Sequence, residues 1–212
     1  MTLSTSPLHA ICDAEACQRA GWTVFDLACA CLGGGAQVLQ IRAKTASSRW
    51  LFDTVLAVVE RARSANALVI VNDRPDIAWL TAAGGVHIGQ DDLAPSLVRS
   101  VVGEASNVGL STHTVEQVRH AVAEPVSYVA IGPVFGTVSK ETGYEAIGLG
   151  TVREAAVVAR AKKLPLVAIG GITLERAPAV VEAGADAVAV ISDLLATGNP
   201  EARVKALLAA LG

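Results

Sequence analysis

The chain has 212 residues, enough for one (β/α)8 barrel with trim loops, since that fold usually takes roughly 250. It is 52% hydrophobic but only 4% aromatic, so its core must be Val, Ile, Leu and Ala, which suits parallel strands buried on both faces. A net charge of -3 argues against a general nucleic-acid or membrane surface, and the apolar runs are too short to span a bilayer. The N-terminus has no basic region followed by a long apolar stretch, so no signal peptide and a cytoplasmic location are expected. Cys12, Cys17, Cys29 and Cys31 lack the spacing and partner ligands of a zinc site, and reduced, half-buried thiols are expected.

Taken in chain order, short apolar runs alternate with helical patterns. The periodicity predicts a strand near 9–12 and a helix near 23–32, ended by Gly33, Gly34 and Gly35 through left-handed conformations. A strand over 37–42 and a helix over 47–65 follow. Next come a strand over 68–72 with a short helix after Pro75, and a strand over 85–88 with a helix from Pro95. The strand at 107–110 leads to a helix from Thr114. The strand at 128–131 precedes the longest loop, 132 to about 148, and long ordered loops in compact domains usually serve function. A helix from Thr151, strands at 166–169 and 187–190, a helix from Thr173 and a closing helix complete eight alternations with no linker. Residues 1–212 thus read as one α/β domain, a single TIM barrel. An open doubly wound sheet is the alternative, and the absence of GxGxxG after the first strand counts against it.

Polar residues recur at the carboxyl end of each run, where a barrel places its chemistry. Gly170 and Gly171 after the seventh strand, with Ile191 and Ser192 after the eighth, have the placement of a backbone phosphate cup. In the second strand, alternation puts Val38, Gln40 and Arg42 on one face and Leu39 and Ile41 on the other. Gln40 and Arg42 then point toward the mouth, with Lys44 beyond, which calls for an anionic ligand or an internal salt bridge to Asp73. Lys140 can add a further cation from the long loop. Asp73 and Asp92 close neighbouring strands, and paired carboxylates beside cations suit Mg²⁺ shared with a diphosphate. Asp76 reads as a helix cap and His87 as a satisfied interior histidine. The stretch from Gly109 to His113 lacks the elbow of a serine hydrolase, so Ser111 is not read as a nucleophile.

The ordered segments QIRAK (40–44), VNDR (71–74), GVHIGQDDL (85–93), GLSTH (109–113), GPVF (132–135) and VAIGGI (167–172) together resemble thiamine phosphate synthase over nearly the whole chain. That resemblance implies a transferase joining 4-amino-2-methyl-5-pyrimidinylmethyl diphosphate to a thiazole or carboxythiazole phosphate, with release of pyrophosphate. It further implies that Gln40, Ile41, Arg42, Ala43, Lys44, Asn72, Ser111 and Lys140 hold the pyrimidine diphosphate. Thr137, Val138, Ser139, Gly171, Ile191 and Ser192 would hold the thiazole phosphate, and Asp73 and Asp92 would hold Mg²⁺. Arg42, Lys44, Ser111 and Lys140 are the expected catalytic set. The expected partners are small phosphorylated molecules, not nucleic acid or membrane, and a homo-oligomer is left open.

The chain departs from the family pattern in two places. The loop reads Phe135-Gly136-Thr137-Val138-Ser139-Lys140 where Phe-x-Thr-x-Thr-Lys is usual, which keeps the hydroxyl, and Gly84 replaces the usual acid before Gly-Val-His. Two other readings compete. A thiazole tautomerase relative would need no diphosphate site, and a silent phosphate-binding barrel would show gaps among the cations and the Asp pair. Retention of Arg42, Lys44, Asn72, Asp73, Asp92 and Lys140 favours the synthase.

Overall fold

A computed structural model describes residues 6–136 and 145–212. The strands β1 (Leu8–Asp13), β2 (Val38–Arg42), β3 (Leu68–Asn72), β4 (Gly85–Ile88), β5 (Asn107–Thr112), β6 (Tyr128–Ile131), β7 (Leu166–Ile169) and β8 (Ala187–Val190) close a parallel barrel in chain order. β8 pairs with β1 through Val190 opposite Ala10, which seals the ring. Around it lie α1 (Ala14–Ala20), α2 (Val24–Gly33), α3 (Ser48–Ser64), α4 (Pro75–Leu80), α5 (Pro95–Val102), α6 (Val115–Ala121), α7 (Gly148–Ala161), α8 (Ala177–Glu182) and α9 (Pro200–Leu211). A 3₁₀ turn, Ser192–Leu195, follows β8. Among the described residues, no helix is long and apolar enough to cross a membrane.

Strand alternation divides the core into two layers. Leu39 and Ile41 of β2 join an outer layer with Val55 and Val58 of α3, while Val38 joins an inner layer with Ile11, Ile70, Tyr128, Ala130, Val167 and Ala189. The inward positions nearest the mouth are polar and still buried: Asp13, Gln40, Arg42, His87 and Ser111. The expected two-residue period therefore holds, and it is what aims the functional side chains.

Several boundaries differ from expectation for local reasons. A helix intervenes between β1 and the predicted 23–32 helix, because Asp13 accepts the Ala16 N–H at 2.8 Å and caps α1. Gly21, at φ 74°, then ends it after seven residues. The fifth strand runs to Thr112, so Ser111 lies within it and not beyond it. The helix predicted from Thr173 starts at Ala177, and the closing helix is preceded by the 3₁₀ turn. Of the glycines after α2, Gly35 is left-handed (φ 96°), whereas Gly34 serves close approach. A Cβ on Gly34 would lie 2.7 Å from the Glu201 carbonyl oxygen and the Val204 side chain, so α9 seats directly on that turn.

The cysteines gather where β1 meets α2. Contact with the Cys31 thiol and burial hold the Cys12 thiol well above its usual pKa, and burial pushes Cys17 up to about 12. Cys12, Cys17 and Cys31 are buried, and Cys29 is half-buried. Cys12 and Cys17 are thus neutral packing groups at pH 7.

Candidate active site

The first wall of the mouth comes from β1, β2 and β3. Register sets Asp13 opposite Arg42, and the Arg42 guanidinium is paired with the Asp13 carboxylate, both side chains being buried. The internal salt bridge to Asp73 that the cations of this segment called for is formed by Lys44, while Arg42 takes Asp13 instead. Arg42 still lies in the inward row of β2 beside β1, whereas Asp73 lies past the end of β3 at φ 63° and pairs with Lys44 at 3.1 Å. Gln40 Nε2 donates to Asn72 Oδ1 at 3.1 Å across the strand interface. Ile41 faces the helices and Ala43 packs against the same outer layer. These two residues can offer a ligand only their backbone.

Asp73 and Asp92 meet between β3 and β4, as expected. The Asp73 N–H donates to the His87 carbonyl at 2.8 Å, and Asp92 Oδ2 accepts the Gly89 N–H at 2.7 Å. Burial raises the Asp73 pKa first, the Asp92 charge raises it further, and Lys44 opposes both. Two hard oxygen donors thus face each other with incomplete compensation. Among the described residues, no three His, Cys, Asp or Glu side chains converge as a metal cage. A two-carboxylate donor set fits Mg²⁺, which commonly binds one or two carboxylates and completes its shell with phosphate oxygens and water. Asp76 stands in the first turn of α4, just inside the N-cap Arg74, where backbone N–H groups of the helix start reach its carboxylate. It also accepts two bonds from the Arg74 guanidinium, at 2.8 and 2.6 Å.

β4, β5 and β6 build the next wall. His87 is an interior histidine, with Nδ1 2.8 Å from Tyr128 Oη and Nε2 2.8 Å from Ser111 Oγ. Gln90 Nε2 donates to the Ser111 carbonyl at 2.6 Å, and the Thr112 hydroxyl donates to the Ala130 carbonyl at 2.8 Å. Ser111 is thereby held from both its side chain and its backbone. Asp13 and Tyr128 are the participants that sequence reading missed. Asp13 carried a usable signal, since it is a polar residue ending an apolar run like the others.

Among the described residues, the remaining wall is mostly backbone. Gly170 and Gly171 adopt φ 105° and 61°. A Cβ on Gly170 would lie 2.5 Å from Pro133, and one on Gly171 would lie 2.6 Å from the Gly136 carbonyl oxygen and 2.9 Å from Phe135 Cβ. The glycine requirement is thus imposed by the loop after β6, besides any approach of phosphate. Val134 and Phe135 N–H groups donate to the Ile169 and Gly170 carbonyls at 2.9 and 3.0 Å, zipping the two loops together. Arg176 adds a staple: Nη1 donates to the Gly171 carbonyl at 2.8 Å, and its guanidinium lies 4.7 Å over the Phe135 ring. Ile191 is buried, and exposed Ser192 opens the 3₁₀ turn. Asp193 behind it is fixed by Arg203 at 2.7 Å and by the Leu174 N–H at 3.0 Å. Thr137, Val138, Ser139 and Lys140 lie outside the described residues.

Comparison with known proteins gives a consistent result. A family model described as thiamine monophosphate synthase matches residues 8–194. The thiamine-phosphate synthase of Roseiflexus castenholzii is 42% identical over 185 residues, covering 87% of this chain and 80% of that protein. The thiamine-phosphate synthase of Haloarcula marismortui is 38% identical over 198 residues, with 93% of each covered. The solved thiamine phosphate pyrophosphorylase of Pyrococcus furiosus superposes with a TM-score of 0.85 at 27% identity, covering 96% of this chain and 94% of that one. A 3-hexulose-6-phosphate synthase, at TM-score 0.68 and 17% identity over 97% of this chain and 100% of that one, shares the fold alone.

Proposed function

Because the chain belongs to the thiamine monophosphate synthase family of transferases, we propose that it moves a pyrimidinylmethyl group from diphosphate to a thiazole nitrogen. The substrates are 4-amino-2-methyl-5-pyrimidinylmethyl diphosphate and a thiazole or carboxythiazole phosphate, and the products are thiamine phosphate and pyrophosphate, with the carboxyl group of the carboxythiazole form leaving as CO2. The observation that carries this reading is the cationic wall of Arg42 and Lys44 beside the Asp73–Asp92 pair, facing a glycine-built loop pair across the same mouth.

In this reading, Gln40, Arg42, Lys44, Asn72, Ser111 and Lys140, with the backbone of Ile41 and Ala43, hold the pyrimidine diphosphate. Thr137, Val138, Ser139, Gly171, Ile191 and Ser192 hold the thiazole phosphate. Asp73 and Asp92 would hold Mg²⁺, which when bound supplies divalent charge against the diphosphate oxygens. The C–O bond to the diphosphate breaks with its electron pair leaving on pyrophosphate. Arg42, Lys44 and Lys140 stabilise the charge that gathers there. The electron-rich aminopyrimidine spreads the positive charge left on the methylene carbon. The thiazole nitrogen lone pair, aligned by its phosphate tail, then forms the C–N bond. No protein nucleophile is required, so the residues act by position and charge. The reading places the enzyme in the cytoplasm, acting on small phosphorylated partners.

Incubating the purified protein with both substrates and Mg²⁺ tests it directly. Thiamine phosphate and pyrophosphate should appear in equal amounts. Rearrangement of the thiazole phosphate alone, without consumption of the diphosphate, would assign the chain to isomerase chemistry instead.

A further inference from the structure

The wall between β4 and β6 holds three polar groups in line. Tyr128 Oη is 2.8 Å from His87 Nδ1, and His87 Nε2 is 2.8 Å from Ser111 Oγ. The Tyr128 and His87 rings stack, with centroids 5.5 Å apart and planes 27° apart, while His9 meets the same phenol edge-on. Gly109 makes this possible, because a Cβ there would collide with Cζ, Cε1 and Oη of Tyr128. The phenol is fully buried, and burial pushes its pKa far above the usual range, so it keeps its proton.

That proton sets the direction of the chain. A buried O–H left without an acceptor loses the equivalent of a hydrogen bond. Among the described residues, the acceptor within reach of Tyr128 is His87 Nδ1. Nδ1 must then be bare, and a neutral imidazole with bare Nδ1 carries its proton on Nε2. Nε2–H in turn donates to Ser111 Oγ, which turns the serine's own hydrogen away from the histidine. The opposite polarity would strand the phenol proton and present serine lone pairs to the mouth.

We propose that Tyr128 and His87 are positioning residues that fix Ser111 as a hydrogen-bond donor toward a diphosphate oxygen. The proposal rests on the assignment of the diphosphate to this wall. The match is chemical: an anion accepts hydrogen bonds, and this relay delivers one donor, oriented before the ligand arrives.

Long-range ¹⁵N–¹H spectra of the histidine side chains test the polarity without any substrate. The His87 signals, identified by their loss in His87→Gln, should show the Nε2–H tautomer at neutral pH. An Nδ1–H tautomer or an imidazolium would overturn the proposal. Tyr128→Phe keeps the ring but removes the donor, and should convert His87 to a mixture of tautomers. In steady-state assays it should lower kcat about tenfold while KM for the pyrimidine diphosphate moves less than about threefold. In a Ser111→Ala background the same change should cost less than about twofold, whereas additive losses would sever Tyr128 from Ser111. Should Tyr128→Phe fail to fold, the wild-type spectrum still decides. An inactive wild type with the Nε2–H tautomer would refute the proposed function and leave the relay's polarity standing.

Discussion

Among the described residues, the mouth is lined by side chains around β1 to β5 and mostly by backbone around β6 to β8. In the first region each polar group already has a partner on a neighbouring strand or loop: Asp13 on Arg42, Asn72 on Gln40, Asp73 on Lys44, His87 on Ser111. In the second, left-handed glycines and a 3₁₀ turn shape the surface, and the nearby side chains, Arg176 and Arg203, stand behind it as supports. The contrast suits two different phosphates. A leaving diphosphate gains charge during reaction and benefits from fixed cations, whereas a phosphate tail that only anchors its substrate keeps constant charge and is served by a shaped backbone.

The largest expected effect breaks the side-chain region at its base. Asp13→Ala strands the Arg42 guanidinium in a buried site and uncaps α1, and breaking a buried pair costs about 3–5 kcal/mol. Denaturant unfolding should show that loss, and turnover should fall with it. A loss under about 1 kcal/mol would mean that Arg42 finds another partner. On the backbone side, Gly171→Val forces a β-branched residue to φ 61° and into Gly136 and Phe135, with an expected cost of about 2 kcal/mol. Because the damage is local, the affinity for thiazole phosphate should fall more than that for the pyrimidine diphosphate. Titration of each ligand checks this, and the reverse order would invert the two regions.

A smaller effect is expected at the carboxylates. Asp92→Asn should slow Mg²⁺-dependent turnover at least about tenfold, roughly 1.4 kcal/mol of transition-state stabilisation. Unchanged rate and metal dependence would remove Asp92 from the site. The smallest effect runs the other way. Asp73 has its pKa raised above 3.8, so between 3.8 and that raised value the folded state binds more protons than the unfolded one. Its contribution therefore becomes less favourable as pH rises through that window, and at neutral pH the charge is a net cost to folding. Metal-free Asp73→Asn should accordingly gain up to about 1 kcal/mol at pH 7, helped by the tolerance of Asn for φ 63°. The gain should vanish below pH 3.8, and Tm measured across pH shows whether it does.

The eight strands were legible because each is a short apolar run with a polar end, and the inward aim of Gln40 and Arg42 followed from alternation. Pairing was less legible. Arg42 and Lys44 are two residues apart and face two acids, Asp13 and Asp73, whose assignment depends on the register of β1 against β2. Tyr128 escaped notice because in a β-rich run it reads as one more core residue. Its partner His87 lies 41 positions away, and the glycine that makes room for it, Gly109, stands on the strand between them. The role of Gly171 was anticipated for phosphate alone, since a loop-to-loop contact leaves no periodic trace in sequence.

The seal between β8 and β1, with α9 seated on the turn at Gly34, has a consequence for the order of events on the ribosome. The first strand of the barrel has one edge that waits for the barrel's last, nearly two hundred residues later, and such non-local pairing is slow to form. Until then β1 presents an open edge carrying Asp13, the residue that holds Arg42 in place. Synthesis therefore delivers most of the chemistry-bearing tips before the ring that fixes them can close. Arrest of translation short of α9 is expected to yield protease-sensitive, edge-exposed chains.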